Sequence, residues 1–369
     1  MSTIINSVNI NNFMTQYRSI RRTCSKMNIL RWLLSTQLKP SHKQNKNSGF
    51  TLIELLVAML IAFLVITPLL SFMISILNTD GQEQAKANSE QEIKAALDYI
   101  TRDLQQAIYI YDATGIACLS GTVDTSTCPN ASTNQLPSPT DRVPVLVFWK
   151  REFSQDAVET KNSSGVVQFK DDSFVYSLVA YYLIQDSNPN WSKAARIARW
   201  EIKDGVTNST GSTCNGFTEK YSRCPDVGFK PFDLSQKGIT LQAKMNSWTN
   251  SLVSGGSYSQ VPVVLVDFID QTTIAQETPT VTAASITCPA PTGLVFQRVP
   301  STIVRRGFYA CVNSVGADNR SSVEVFLRGN AQARLIQNDE TKVRYAQSKS
   351  SYFPSANIKV QGSSFIFTK

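Results

Sequence analysis

Beyond residue 49 the sequence has no histidine; the single one in its 369 residues is His42. That absence removes Ser-His and Cys-His nucleophilic catalysis, and the commonest metal ligand, from everything downstream. The first 49 residues lack a different class. They hold no Asp or Glu, against eight basic residues: Arg18, Arg21, Arg22, Lys26, Arg31, Lys39, Lys43 and Lys46. Removing those eight from the 36 Lys and Arg leaves 28, equal to the 28 Asp and Glu of the chain. The formal charge of +8 therefore belongs to the leader, and the neutral remainder gives no bulk case for nucleic-acid binding. The pairs Arg305-Arg306 and Lys342/Arg344 are too small to form a basic stripe. No Cys-x-x-Cys pair, Gly-x-Ser-x-Gly elbow or phosphate loop is present, so neither an enzyme nor a cofactor is expected. Asp171-Asp172 and Asn338-Asp339-Glu340 lack calcium-loop spacing and read as solvated surface.

Hydrophobic residues make up 42% and charged residues 17%, a balance that describes an ordered chain long enough for a sizeable core. Of seven cysteines, Cys24 lies in the leader; the others fall as Cys118/Cys128, Cys214/Cys224 and Cys288/Cys311. Six cysteines allow fifteen pairings, and the sequence alone does not choose among them. The first two pairs are each ten residues apart in polar stretches where loop-closing bridges are geometrically easy. Three local disulfides, and with them an oxidising compartment, are the favoured reading; buried free thiols are the alternative.

From Leu55 to Leu77 there are 23 residues without a charge, about 34 Å of helix and enough to cross a bilayer. The basic flank precedes this run, so the positive-inside rule keeps residues 1–49 in the cytoplasm and sends the rest outward. Glu54 stands at the head of the apolar run, where an ionisable group is costly and marks a function. Pro68 interrupts the helix interior, as a tolerated kink or as a place where the helix curves or melts in a larger assembly.

The stretch Lys46-Asn47-Ser48-Gly49-Phe50-Thr51-Leu52-Ile53-Glu54-Leu55 resembles the signal of type IV prepilins and pseudopilins. The resemblance implies cutting between Gly49 and Phe50 by a prepilin peptidase and methylation of the new Phe50 amine. It also implies that Glu54 pairs with the Phe50 ammonium of a neighbouring subunit. A carboxylate paired in that way recovers much of its burial cost and fixes register. Partners implied are other pilins, the peptidase and an inner-membrane assembly platform.

After residue 77 the chain turns amphipathic: Ile93, Leu97, Ile100, Leu104, Ile108 and Tyr111 recur at three- and four-residue steps, with Asp98 and Arg102 on the exposed side. A polar loop over 112–141 follows. Strands are expected at 143–149, 173–184, 196–202, 263–269, 307–312, 323–327 and 357–367, with an irregular stretch over 204–235 and a Thr/Ala-rich candidate linker at 271–287. The fold class is α+β: a long helix, transmembrane over 50–77 and amphipathic over 78–111, packed on an antiparallel β-rich head over 112–369 that holds one or two lobes.

About 320 residues would remain after processing, more than a filament needs merely to polymerise, which favours a minor subunit. Leu97-Asp98-Tyr99-Ile100-Thr101-Arg102-Asp103-Leu104 resembles the segment after the anchor in PilW-like minor pilins. The run on through Tyr109-Ile110-Tyr111-Asp112, with Val325-Phe326-Leu327-Arg328-Gly329-Asn330-Ala331, resembles cyanobacterial hormogonium polysaccharide secretion pseudopilins of the HpsC type. The leader is long for that family, and Met14 or Met27 is a candidate start. Two functions follow: a subunit that primes or caps a fibre for motility or polysaccharide secretion, or a fibre-displayed head that binds polysaccharide, a surface or DNA. Tyr181, Tyr182, Trp191 and Trp200 are the candidate sugar-binding aromatics, set against ordinary core positions.

Overall fold

The computed structural model describes residues 49–123, 128, 134–137, 141–235, 240–253, 255–289, 295–314, 321–336 and 339–362. The basic leader, Asn338 and the end of the last expected strand lie outside the described residues. The chain divides into two compact units, 1–72 and 73–369. Helix α1, Leu52–Gln105, contributes to both and runs on through Pro68. In the first unit its side chains are mostly apolar and exposed on every face, from Leu52 and Ile53 to Leu70 and Phe72. It is long and apolar enough to cross a membrane.

In the second unit α1 becomes one-sided. Ala85, Ser89, Ile93, Ala96, Leu97, Ile100, Asp103 and Leu104 are buried, a three-and-four spacing that puts one stripe on the head. Asp98 and Arg102 are exposed, as expected of the opposite side. The helix stops earlier than its periodicity suggests. Ile108 sits in strand β1, Ala107–Ile110, and Tyr111 follows it, with Tyr111 N–H donating to Val147 O at 2.9 Å. Four consecutive residues of β1 are buried, so apolar side chains occur on both of its faces and imitate a helical stripe.

The 112–141 segment is not wholly loop. Asp112 caps a short helix α2, Ala113–Leu119, through Gly115 N–H at 2.9 Å. Four further strands, β2 Arg142–Lys161, β3 Val167–Ile184, β4 Ala195–Lys203 and, after an intervening hairpin, β7 Val263–Ile269, complete a five-stranded antiparallel sheet with β1. Its order is β1-β2-β3-β4-β7. The hairpin, β5 Val206–Thr213 and β6 Lys220–Arg223, occupies much of the stretch expected to be irregular. A short helix α3, Leu241–Asn246, precedes β7. Strands β8 Gln297–Val299, β9 Phe308–Asn313, β10 Ser322–Arg328 and β11 Ser355–Gln361 form a second antiparallel sheet in the order β11-β10-β9-β8.

The two sheets share one apolar core, which joins Ile93, Leu97 and Ile100 of α1 to Phe148, Tyr181 and Ile197 of the first sheet and Val312, Val325 and Leu327 of the second. Within residues 271–287, Gln271, Thr272, Glu277 and Ile286 are buried, and Ile274 N–H donates to Val304 O at 2.9 Å. Three disulfides, Cys118–Cys128, Cys214–Cys224 and Cys288–Cys311, join Cα atoms 5.5, 5.7 and 5.6 Å apart, within the range a bridge spans without moving the backbone. The pairing is the one the spacing favoured.

Candidate processing and assembly site

Gly49 and Phe50 precede α1, and Phe50 is 79% exposed. A Cβ built on Gly49 would meet nothing within 4 Å, so packing does not call for glycine there. Glu54 lies in the first turn of α1, where the helix dipole favours a negative charge. Glu54 N–H donates to Thr51 O at 3.0 Å and lies 3.3 Å from Thr51 Oγ1. Thr51-Leu52-Ile53-Glu54 is thus a capping-box sequence, and Thr51 is a participant that attention to Glu54 alone passes over. The spacing Thr-x-x-Glu before an apolar run was the signal for it.

Two polar clusters bind the head to α1. At the helix end, Asp103 accepts from Lys150 Nζ at 3.0 Å, Tyr181 Oη at 2.8 Å and Arg199 Nε at 2.7 Å. Glu201 extends the cluster, 3.0 Å from Lys150 Nζ and 2.9 Å from Arg199 Nη1. Burial by itself would raise the Glu201 carboxyl, but Arg199 above all, with Lys150 and Lys203, holds it at about 2, below its ordinary 4.5. Burial likewise opposes the Lys150 charge, and Asp103 and Glu201 overcome it, raising that pKa. A carboxyl lowered on folding gives stability that is complete above its unfolded value and is lost as pH falls through its folded one. The stability difference between wild type and Glu201→Gln is therefore expected to shrink as pH falls from 4.5 towards about 2, as followed by urea unfolding across that window. A difference independent of pH would disprove it.

The second cluster lies around Arg328, Gly329 and Asn330. Arg328 is 2.6 Å from Asp270 and 2.5 Å from Glu277, both wholly buried carboxylates. Asn330 Nδ2 donates to Gln271 Oε1 at 2.9 Å and Val343 O at 2.8 Å, while its Oδ1 accepts from Ala333 N–H at 3.0 Å. A Cβ on Gly329 would come within 2.5 Å of Ile93 Cδ1, so glycine lets α1 close on the strand end. Arg334 donates to Ser89 Oγ at 2.9 Å and pairs with Glu92 on the same helix. Both sequence stretches singled out earlier, 97–104 and 325–331, thus serve to seat the helix.

Of the four candidate aromatics, Tyr181, Tyr182 and Trp200 are core residues. Trp191 is 41% exposed and lines an open cleft of about 950 Å³. Several of the other residues weighed for ligands have protein partners. Asp172 accepts from Asp156 N–H at 2.9 Å, and Asp339 accepts from Thr341 Oγ1 at 2.6 Å and Lys342 N–H at 3.2 Å. Arg305 Nε donates to Gln271 O at 3.1 Å, and Arg306 faces Glu277 at 3.3 Å.

No curated protein and no solved structure matches the chain. One family model does, the prokaryotic N-terminal methylation motif, over residues 44–70. The match spans the Gly49–Phe50 boundary, Glu54 and most of the apolar run, and it implies association with other pilins and with the prepilin peptidase. Set on a long apolar helix that leads into a disulfide-bonded antiparallel head, this motif supports a type IV pilin-like protein, anchored in the inner membrane and later part of a pilus.

Proposed function

We propose that the chain is a minor subunit of a type IV pilus-like fibre, PilW-like and similar to the HpsC-type pseudopilins, used for motility or polysaccharide secretion. The observation that carries the subunit reading is the placement of Glu54 in the first turn of a helix exposed and apolar on all sides, directly behind a Gly-Phe boundary that packing leaves unconstrained. In this reading a prepilin peptidase cuts between Gly49 and Phe50 on the cytoplasmic side and methylates the Phe50 amine. The head stands outside the cytoplasm, in keeping with its disulfides. An assembly platform in the inner membrane passes the subunit into the fibre, where Glu54 neutralises a neighbour's Phe50 ammonium. The size of the head favours a minor position, at the tip or as a primer.

Glu54→Gln tests the pairing. Glutamine serves a capping box as glutamate does, so the helix start is retained while the charge is lost. The expected outcome is protein correctly cut and present in the inner membrane, but depleted from sheared fibres or from the secretion they drive. Assembly at wild-type level would remove charge pairing as the mechanism. A second reading, a fibre-displayed binding head, is favoured by the open cleft beside Trp191.

A further inference from the structure

The cleft lies wholly within the head unit, between the buried-stripe half of α1, the turn before β4, the end of β7 and the segment after β10. Its volume, about 950 Å³, falls in the range of ligand sites. The floor is apolar, with Ala96, Leu265, Val266 and Val343. Two aromatic rings stand half exposed in its lining, Tyr99 at 46% and Trp191 at 41%.

The turn that presents Trp191 is built to hold it. Asp186 takes Arg196 in a two-pronged pair, at 2.7 and 2.5 Å, and accepts from Asn188 N–H at 3.1 Å. Asn188 Oδ1 then accepts from Asn190 N–H at 3.0 Å, and its carbonyl accepts from Trp191 N–H at 3.3 Å. The Arg196 guanidinium lies 5.9 Å from the Trp191 ring centre. Asp267, across the cleft, fixes the far side of the turn by accepting from Ser192 Oγ at 2.7 Å and Ser192 N–H at 3.0 Å. The next residue, Phe268, has φ of 56°, a left-handed conformation rare for a bulky side chain. Such strain persists only where the surroundings impose it and clusters at ligand sites. A ring held ready in this way spares a ligand the cost of ordering it.

Carboxylates outnumber cations in the lining. Glu92, Asp267, Asp339 and Glu340 contribute carboxylates, and Lys193 is the sole cation among the described lining residues. Glu92 and Asp339 have cationic partners in Arg334 and Lys342. Asp267 and Glu340 remain against Lys193. A polyanion is repelled from such a surface. The occupant must offer an apolar face to aromatic rings and polar donors to carboxylates, without negative charge of its own. Sugar rings do so: one face of axial C–H groups, an equator of hydroxyls. We infer that the cleft is a binding site for a non-acidic glycan, a chain of neutral or amino-bearing sugars. The inference deepens the binding-head reading and rests on it, and it is independent of how the N-terminus is processed.

The test uses the full chain in lipid nanodiscs, free of glycoside detergents, titrated with a β-linked glucose tetramer, a glucosamine tetramer and a galacturonate tetramer. Saturable binding of the glucose or glucosamine tetramer is expected, with negligible binding of the galacturonate one. Trp191→Ala is expected to weaken it at least tenfold, and Trp191→Phe to restore most of it, which a folding defect would not produce. No saturable binding of either non-acidic tetramer, equal binding by Trp191→Ala, or preference for the acidic tetramer overturns the inference. So does a lysine-rich peptide that binds at Trp191 where the sugars do not, since the cleft is then a protein contact. None of these results bears on whether Glu54→Gln enters fibres, so the two failures are distinguishable.

Discussion

Replacing Asp103 by alanine is expected to destabilise the head by about 3–5 kcal/mol, the cost of removing one member of a buried ionic cluster. Lys150 and Arg199 would keep their charges with Asp103 gone, and Tyr181 Oη would lose the acceptor 2.8 Å away. Asp103 and Lys150 are only 8% and 7% exposed at their side chains, so solvent screens the pair weakly. The contrasting variant is Glu90→Ala. Glu90 and Lys94 also form a close pair, 2.6 Å, but both are largely exposed, and an exposed pair four residues apart on a helix is worth only about 0.3–0.5 kcal/mol. Urea unfolding of the two variants, followed by the fluorescence of buried Trp149 and Trp200, checks the difference. Equal effects would mean that the cluster does not hold the helix on the sheet.

The other large effect is expected at residue 49. Because a Cβ at Gly49 meets nothing in the fold, Gly49→Val should leave the folding of the head unchanged. It should nevertheless block cutting almost completely, since a branched side chain stands where a protease must reach the backbone. Mass spectrometry of protein from native membranes is expected to give a mature N-terminus at Phe50 in wild type and an uncut leader in the variant. Efficient cutting of Gly49→Val, or an intact leader in wild type, would defeat this reading. A variant that fails to cut while its three disulfides form normally would separate processing from folding.

The long apolar helix, the buried stripe of α1, the strand β7 and the three bridges were all legible in the sequence because each rests on a local pattern: a charge-free run, a three-and-four spacing, a run of β-branched and other apolar residues, and short separations. What escaped was set by tertiary context. Ile108 and Tyr111 continue the helical spacing numerically, yet pairing with β2 claims Ala107–Ile110 as a strand. Helix α2 has seven residues, too few to be stable alone, and exists because Asp112 caps it while also accepting from Gln242 and Ser314. Strand β2 runs on to Lys161, where Phe153 pairs with Phe174 across the hairpin, although its composition turns polar after Trp149. The Asp103 cluster was hidden for a plainer reason. A charged residue on a helix reads as solvent-facing, and only the lysine, arginine and tyrosine from three strands reveal it as buried. Trp191 was picked out with three other aromatics, and its exposure could be told from theirs only once β3 and β4 had buried the rest.

The order of the strands bears on how such a chain is made. Within the first sheet the neighbours β1 to β4 follow one another along the chain, and in the second sheet β8 to β11 are paired in chain order. Synthesis from the N-terminus therefore delivers each strand beside the one it pairs with, and the first sheet has its last member once Ile269 has emerged. The stripe on α1 is made before either sheet, and part of it waits for the second: Ile93 meets Gly329, and Ser89 its partner Arg334, only when the chain past β10 arrives. Until then part of the helix face lacks its second-sheet cover, on a nascent chain whose upstream end, in the function proposed above, is bound for the bilayer. Tethering that end limits diffusion to a surface, and the chain's own second sheet, at a high effective concentration, competes well against encounters with other copies.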